Sequence, residues 1–157
     1  LVLSPGAAPI RPPLPGIDLP GIFSVRTVPD SKAIREWLER GASGLAEEAQ
    51  ASGLESLEKP RRAVVVGGGY IGLEMGSVYA ALGSKVTVVE MTPGLLPGAD
   101  RDLVTILARR MEQVLTRVLL GTRVVGMTDA GTGVKVRFEG EALPVADREQ
   151  TFDRVLV

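Results

Sequence analysis

Residues 64–72 read Val64-Val65-Val66-Gly67-Gly68-Gly69-Tyr70-Ile71-Gly72. An apolar, β-branched run leads into a G-x-G-x-x-G turn, and the pattern after the turn predicts a helix. Glu90 stands twenty-three residues after Gly67, at the end of a second apolar run. Strand, glycine turn, helix, second strand and acid at this spacing are typical of a dinucleotide-binding β-α-β unit.

The glycines of the turn have separate tasks in this interpretation. Gly67 permits the tight turn out of the strand, Gly69 lets the backbone approach a pyrophosphate, and Gly72 lets the helix pack closely on the strand. The positive end of the helix dipole faces the phosphates. Glu90 is predicted to accept hydrogen bonds from the adenosine ribose. The alternatives are a glycine turn without a ligand and, for Glu90, a solvated carboxylate at a strand end.

The bulk properties limit the possible partners. The chain has 157 residues, enough for one domain with its own core, and its net charge of −1 favours neither nucleic acid nor an anionic membrane. No apolar run approaches the roughly 20 residues of a membrane span. The first residues lack the basic side chains of a signal or transit peptide, and we expect a cytoplasmic protein.

The sequence contains no cysteine and no histidine. Disulfides, thiol nucleophiles, zinc-type sites and the commonest general base are therefore excluded from this chain. We accordingly predict no catalytic residue and no metal site here. Any redox or acid–base chemistry has to come from a cofactor or from another piece of protein.

The beginning of the chain differs in composition from the rest. Seven of the eleven prolines lie in the first 29 residues, which predicts an extended segment at residues 1–28 and a folded domain at residues 29–157. A helix is predicted to begin at Asp30 or Ser31. Residues 44–58 fit an exposed helix and a mobile insertion equally well.

Helical and strand patterns alternate from Arg61 onward. They predict a Rossmann-like, three-layer α/β domain whose central parallel sheet is flanked by helices. The sheet strands are predicted at 61–66, 85–90 and about 118–127, with helices at 70–82 and 100–117. Apolar residues at helical spacing predict the core face of the second helix: Leu103, Ile106, Leu107, Met111, Val114, Leu115 and Val118. The three arginines Arg109, Arg110 and Arg117 are predicted to lie on its solvated face.

A period of two follows the second helix. It predicts a hairpin around residues 129–133 and a strand at 134–139 in a small antiparallel layer. The apolar segments Leu1–Leu3 and Phe152–Val157 are predicted to be seam strands outside the β-α-β unit. In this chain we expect their unpaired edges to be disordered or paired with another chain.

Residues 67–76, which read GGGYIGLEMG, resemble the NAD-binding domain of the flavoprotein disulfide reductases. Residues 77–90 and 95–103 are similar to lipoamide dehydrogenase in particular. Residues 3–13 are more similar to NADH oxidases and coenzyme A-disulfide reductases. The resemblance covers nearly the whole chain except about residues 42–58, whose role it leaves unassigned.

The resemblance implies NAD as the cofactor of this chain and FAD as a cofactor of the longer parent protein. Glu90 matches the acid that holds the ribose, and no cation follows it, which favours NAD over NADP. Glu74 matches a helix glutamate near the nicotinamide, or is a surface carboxylate. Tyr70 matches an aromatic that covers the nicotinamide pocket, or is a half-buried packing tyrosine. The predicted cofactor-binding residues are Gly67, Gly68, Gly69, Tyr70, Ile71, Gly72, Glu74, Glu90, Met91 and Val125.

Val124 or Val125 is predicted to line the adenine pocket, and the alternative is that both are core residues. The resemblance implies the NAD(H)-binding domain of an FAD-dependent, dihydrolipoamide dehydrogenase-like oxidoreductase, which positions the nicotinamide for hydride transfer with flavin. Its partners would be the FAD and dimerisation domains of a homodimeric parent, with residues 1–28 as the seam to the FAD domain. The alternatives are an NADH oxidase, a coenzyme A-disulfide reductase or a stand-alone NAD-binding module.

The chain lacks a second G-x-G-x-x-G for the flavin nucleotide and the C-x-x-x-x-C of the parent family. Alone it is predicted to bind NAD(H) and to be inactive.

Overall fold

The computed structural model describes residues 10–36 and 61–157. These residues belong to two compact units, one formed by residues 10–11 and 23–36 and the other by residues 12–22 and 61–157. The helices are α1 (28–36), α2 (Tyr70–Ala81) and α3 (Arg101–Val114). The strands are β1 (Ile22–Phe23), β2 (Arg62–Val66), β3 (Lys85–Val89), β4 (Arg117–Leu119), β5 (Thr122–Asp129), β6 (Val134–Gly140), β7 (Glu149–Phe152) and β8 (Arg154–Leu156).

Two reciprocal hydrogen bonds between side chain and backbone stand at the start of α1. The Asp30 carboxylate accepts a hydrogen bond from the Thr27 N–H at 2.6 Å, and the Asp30 N–H donates to the Thr27 hydroxyl at 3.4 Å. This is the arrangement of a capping box, with Thr27 as the cap. The helix therefore begins at residue 28, earlier than the predicted start at Asp30 or Ser31. Residues 44–58, for which an exposed helix and a mobile insertion were the two alternatives, lie outside the described residues.

A five-stranded sheet in the order β1-β8-β2-β3-β4 forms the centre of the larger unit. β2 pairs in parallel with both β3 and β8, and β3 pairs in parallel with β4. Val65 pairs with Val88 on the side of the helices, while Val64 and Val89 join the core on the opposite side. Both faces of these strands are covered, which explains their continuous β-branched runs. The predicted parallel α/β architecture is confirmed.

The second sheet is antiparallel, in the order β5-β6-β7. Its inner side chains complete the core against one face of the central sheet. Phe138 of β6 and Phe152 of β7 are buried and meet edge to face, with 6.1 Å between their ring centroids. The small antiparallel layer is therefore also confirmed.

The prediction of one parallel-sheet strand at about 118–127 is wrong, because this stretch forms two strands in different sheets. Only β4 lies in that sheet, and after Gly121, at φ +57°, the chain enters the antiparallel sheet as β5. The helix before it ends at Val114 rather than 117. Arg117 is thus a strand residue, and it forms a bidentate ion pair with Asp147 at 2.9 Å instead of lying on a solvated helix face.

The prediction of a core face on α3 has the correct helical spacing, but it assigns two exposed residues to the core. Leu103 and Ile106 have 69% and 70% of their surface exposed. The buried positions are Val104, Met111 and the following Leu115, at helical spacing from one another. α3 packs against α2 and β4 along this narrower stripe, which leaves the two neighbouring apolar side chains outside the contact.

The expectation for Phe152–Val157 is wrong. β8 lies between β1 and β2 inside the central sheet, and Val155 is fully buried. The turn before it is fixed on Arg62, whose N–H donates to the Asp153 carboxylate at 2.6 Å and whose carbonyl accepts from the Asp153 N–H at 2.8 Å. Leu1–Leu3 lie outside the described residues.

Residues 12–22 belong to the larger unit. Leu14, Ile17 and Leu19 pack against its core, and the Pro15 carbonyl accepts a hydrogen bond from the Met127 N–H at 2.8 Å. The proline-rich segment thus runs along the antiparallel sheet without becoming a helix. The division of the chain at residue 28 stays a prediction.

Tyr79 of α2 leads to a prediction about stability. Its hydroxyl is buried and has no hydrogen-bond partner in the structure described, and burial raises the pKa of this phenol to about 12. An unpaired buried hydroxyl is unfavourable, so Tyr79→Phe should raise the unfolding free energy at pH 8 by about 1 kcal/mol. Tyrosine in the unfolded chain ionises near pH 10. The stability of the original chain should therefore fall between about pH 10 and 12, and that of the variant should fall less.

Urea unfolding at pH 8 and pH 11 measures both effects. Tyr70→Phe is the matched control, because Tyr70 is an exposed tyrosine of the same helix. A Tyr79→Phe variant less stable than the original at pH 8 would show that the hydroxyl has a hydrogen-bond partner in solution.

Candidate functional site

The predicted site lies where the central parallel strands end. The Gly67 N–H, just after β2, donates to the Val89 carbonyl at 2.8 Å. The Glu90 N–H, just after β3, donates to the Leu119 carbonyl at the end of β4, also at 2.8 Å. These bonds bring the glycine turn and Glu90 to the same edge. In open α/β sheets, ligands bind outside the carboxyl ends of the strands.

The glycine turn has the geometry that its sequence predicts. Gly67 adopts φ +115°, which disfavours residues with a side chain. A Cβ atom on Gly72 would lie 2.0 Å from the Gly67 carbonyl oxygen and 3.3 Å from the Val65 side chain, so the close packing of α2 on β2 requires glycine here. A Cβ atom on Gly69 would have no neighbour within 4 Å among the described residues. The backbone at Gly69 therefore faces open space.

α2 begins at this open side. Gly69 is its N-cap, and none of the side chains that the structure describes caps the helix. The first N–H groups of a helix have no partner within the helix, and together with the positive end of the dipole they favour an anion. The open approach at Gly69 and the uncapped helix fit a pyrophosphate.

The Glu90 carboxylate is buried and bound to the turn. Only 6% of the residue is exposed, so the alternative of a solvated strand-end carboxylate is wrong. One oxygen accepts from the Gly68 N–H and the other from the Thr92 N–H, both at 2.7 Å. Burial opposes ionisation, but these hydrogen bonds outweigh it and hold the pKa of Glu90 below its ordinary value. Each carboxylate oxygen keeps a further lone pair for a ligand hydroxyl.

The loop after Glu90 completes the support of the turn. Met91 is the one residue of this loop that the sequence predicted for the site, and the support by Leu95 and Leu96 was not predicted. The Leu96 N–H donates to the Gly68 carbonyl at 3.0 Å. A Cβ atom on Gly68 would lie 2.7 Å from the Leu95 side chain and 2.9 Å from the Glu90 Cβ. Gly68 is therefore enclosed by its supports, in contrast to the open Gly69.

Exposed apolar side chains border the turn. Tyr70, Ile71 and Met91 are 74%, 64% and 72% exposed. Tyr70 is thus not a half-buried packing residue. Glu74, one turn further along α2, is also exposed, which is compatible with both of its interpretations. Exposed apolar surface beside a candidate site is typical of a surface that receives a ligand or another domain.

Val124 and Val125 have different positions. Val124 is buried in the core, as the structural alternative predicted. Val125 is the extra residue of a β-bulge, since Val124 pairs with Phe138 and Gly126 with Arg137. A bulge redirects the side chain of the strand, and Val125 is half-buried. Its predicted place in the adenine pocket stays a prediction.

Residues 10–36 and 61–157 contain no helix with the length and apolar character needed to cross a membrane. Within the same ranges, no three histidine, cysteine, aspartate or glutamate side chains are grouped so that they could hold a metal ion.

Relatives of known structure share this fold. The chain superposes on a water-forming NADH oxidase from Lactobacillus brevis bound to NADH, with a TM-score of 0.73, 22% identity, and coverage of 96% of this chain and 28% of the oxidase chain. It also superposes on the reduced CoADR-RHD of Bacillus anthracis, with a TM-score of 0.73 and 27% identity over 97% of this chain and 23% of that one.

Sequence comparisons identify the family. Dihydrolipoyl dehydrogenase from Vibrio parahaemolyticus is 42% identical over 104 residues, which are 66% of this chain and 21% of that enzyme. The chain thus spans about a fifth of the length of this curated relative. The family profile described as "Pyridine nucleotide-disulphide oxidoreductase" matches residues 1–148. The chain belongs to the pyridine nucleotide-disulphide oxidoreductase family.

Proposed function

We propose that this chain is the NAD(H)-binding domain of a flavin-dependent oxidoreductase similar to dihydrolipoyl dehydrogenase. The observation that carries the proposal is the 2.7 Å hydrogen bond from the Gly68 N–H to the Glu90 carboxylate. It joins the phosphate-binding turn to the acid that recognises the ribose. The two halves of an adenosine diphosphate site therefore form one hydrogen-bonded unit.

Each part of the site has a task in this proposal. The open backbone at Gly69 and the start of α2 bind the pyrophosphate, and Glu90 accepts hydrogen bonds from the adenosine ribose. Tyr70 and Ile71 offer an apolar surface on the side where the nicotinamide would lie. When bound, nicotinamide and flavin supply the hydride transfer, and the protein supplies binding and orientation.

In this proposal the chain positions a cofactor and does not turn over a substrate by itself. Its sequence has neither cysteine nor histidine, so the thiol exchange and proton transfer of the proposed parent would be performed by other parts of that protein. We propose the FAD and dimerisation domains of a cytoplasmic homodimer as its partners. The identity of 42% with the Vibrio enzyme supports a dihydrolipoyl dehydrogenase.

The second candidate is an NADH oxidase or a coenzyme A-disulfide reductase. Superposition of almost the whole chain on structures of these kinds favours it. A module that binds NAD without flavin is the third. Flavin absorbance of the parent protein would rule out the module that binds NAD without flavin. The electron acceptor that the parent protein reduces would distinguish a dihydrolipoyl dehydrogenase from an NADH oxidase or a coenzyme A-disulfide reductase.

Calorimetric titration of the 157-residue chain with NADH tests the proposal. We expect saturable binding of NADH and of ADP-ribose, which shares the pyrophosphate and the adenosine ribose, without consumption of NADH. Absence of binding for both ligands would contradict the proposed function.

A further inference from the structure

Glu90 and the loop that follows it, at residues 91–100, together fix the peptide groups of the glycine turn. The Gly68 N–H is held by the Glu90 carboxylate at 2.7 Å, and the Gly68 carbonyl is held by the Leu96 N–H at 3.0 Å. Leu95 is buried against Gly68 from the same loop. Because both polar groups of Gly68 are bonded, the direction of the neighbouring Gly69 backbone depends on where this loop lies.

Leu96 holds its part of the loop in an unfavourable conformation. Its φ of +49° lies in the left-handed region, where a side chain is disfavoured. Its N–H donates to Gly68, and its carbonyl accepts from a guanidinium nitrogen of Arg101 at 2.6 Å. Strained residues of this kind persist where the surrounding structure over-determines them, and they cluster at functional sites.

Arg101 is bonded to three carbonyls of this loop. Its guanidinium donates to Leu95 at 3.1 Å, to Leu96 at 2.6 Å, and to Ala99 at 3.0 Å from Nε and 2.8 Å from Nη2. Only the planar, multiply donating head group of arginine matches such a set. The side chain therefore acts as a brace across the loop.

The position of Arg101 along α3 is unusual for a cation. It is the first residue of the helix, where the positive end of the dipole disfavours a positive charge. Its neighbours obey the rule, since Asp100 caps the helix and Asp102 lies in the first turn. The bonds to the loop carbonyls explain why a cation occupies this place.

We propose that Arg101 is a positioning residue for NAD(H) binding, an inference that rests on the function proposed above. It acts through Leu96, whose N–H fixes the Gly68 carbonyl and so orients the backbone that receives the pyrophosphate. Arg101 itself contacts the loop and not the cofactor.

The test compares the 157-residue chain with three variants by calorimetry, using NADH and ADP-ribose. Arg101→Gln should lower the affinity for NADH and for ADP-ribose by the same factor, about tenfold, because both ligands use the pyrophosphate turn. Arg101→Lys, which keeps the charge but reaches fewer carbonyls, should be intermediate. Arg110→Gln is the matched control, since the one described hydrogen-bond partner of this arginine of the same helix is Gln113, at 3.5 Å. Amide hydrogen exchange at Leu96 should accelerate in Arg101→Gln and not in the control.

The outcomes separate the two proposals. If the original chain binds neither ligand, the proposed function fails, while faster exchange at Leu96 in Arg101→Gln would still show that Arg101 holds the loop. If the original chain binds and Arg101→Gln binds as tightly as Arg110→Gln, the positioning role is overturned. If the Arg101→Gln variant does not fold, the Arg101→Lys variant decides the question. An affinity of Arg101→Lys equal to that of the original chain would overturn the positioning role.

Discussion

The chain should bind NADH more tightly than NADPH by about 1–3 kcal/mol, which is roughly 5- to 150-fold in affinity. The physical reason is Glu90, whose buried carboxylate is kept ionised by hydrogen bonds from Gly68 and Thr92. In the proposed complex with NADH, this carboxylate would gain hydrogen bonds from the ribose hydroxyls. With NADPH it would meet a 2′-phosphate of like charge. Calorimetric titration with both cofactors measures the difference.

Substitution of Glu90 should narrow this difference. Glu90→Gln removes the charge and keeps the shape, although its NH2 group faces one of the two backbone N–H groups that the carboxylate binds. Glu90→Ala leaves both N–H groups without their acceptor, so the first variant is the cleaner probe. Glu74→Gln is the control, because any contact of Glu74 with nicotinamide is common to both cofactors and leaves their ratio unchanged. Equal affinities of the original chain for NADH and NADPH would contradict the assignment of Glu90.

The elements that the sequence predicted well are those with strong local signals. β2, α2 and β3 follow from two continuous apolar runs, three glycines and a fixed spacing to Glu90, and all of these depend on neighbours in the chain. The burial of both strand faces then makes the pattern unambiguous. The close approach at Gly72 was predictable for the same reason, since it arises within one strand–turn–helix unit.

The elements that the sequence missed depend on contacts between distant parts of the chain. Nothing local distinguishes one strand at 118–127 from two, because the change of sheet occurs at Gly121 alone, which is bonded to Thr92 of another loop. The same is true of β8, whose place beside β2 depends on the long-range pair Arg62 and Asp153. The role of Arg101 had one local signal, a cation at the start of a helix. This signal can be interpreted only when the folded loop shows the carbonyls that the guanidinium binds.

Two glycines of the turn should respond to alanine in opposite ways. Gly72→Ala should lower the unfolding free energy by at least about 2 kcal/mol, because the new Cβ would lie 2.0 Å from the Gly67 carbonyl oxygen, a backbone atom that cannot move alone. The sign is informative, since replacing glycine by alanine within a helix ordinarily stabilises it by about 1 kcal/mol. Denaturant unfolding of the variant and of the original chain measures the change.

Gly69→Ala should instead preserve the fold and abolish most of the binding. Gly69 has φ −77°, which alanine adopts readily. Within residues 10–36 and 61–157 its Cβ would have no neighbour within 4 Å, so stability should change by less than about 1 kcal/mol. The methyl group would occupy the space through which the pyrophosphate approaches the backbone. Affinity for NADH should fall on the order of a hundredfold, about 2.8 kcal/mol. Undiminished binding by a folded Gly69→Ala chain would place the phosphates elsewhere, because the open space at Gly69 would then have no ligand to receive.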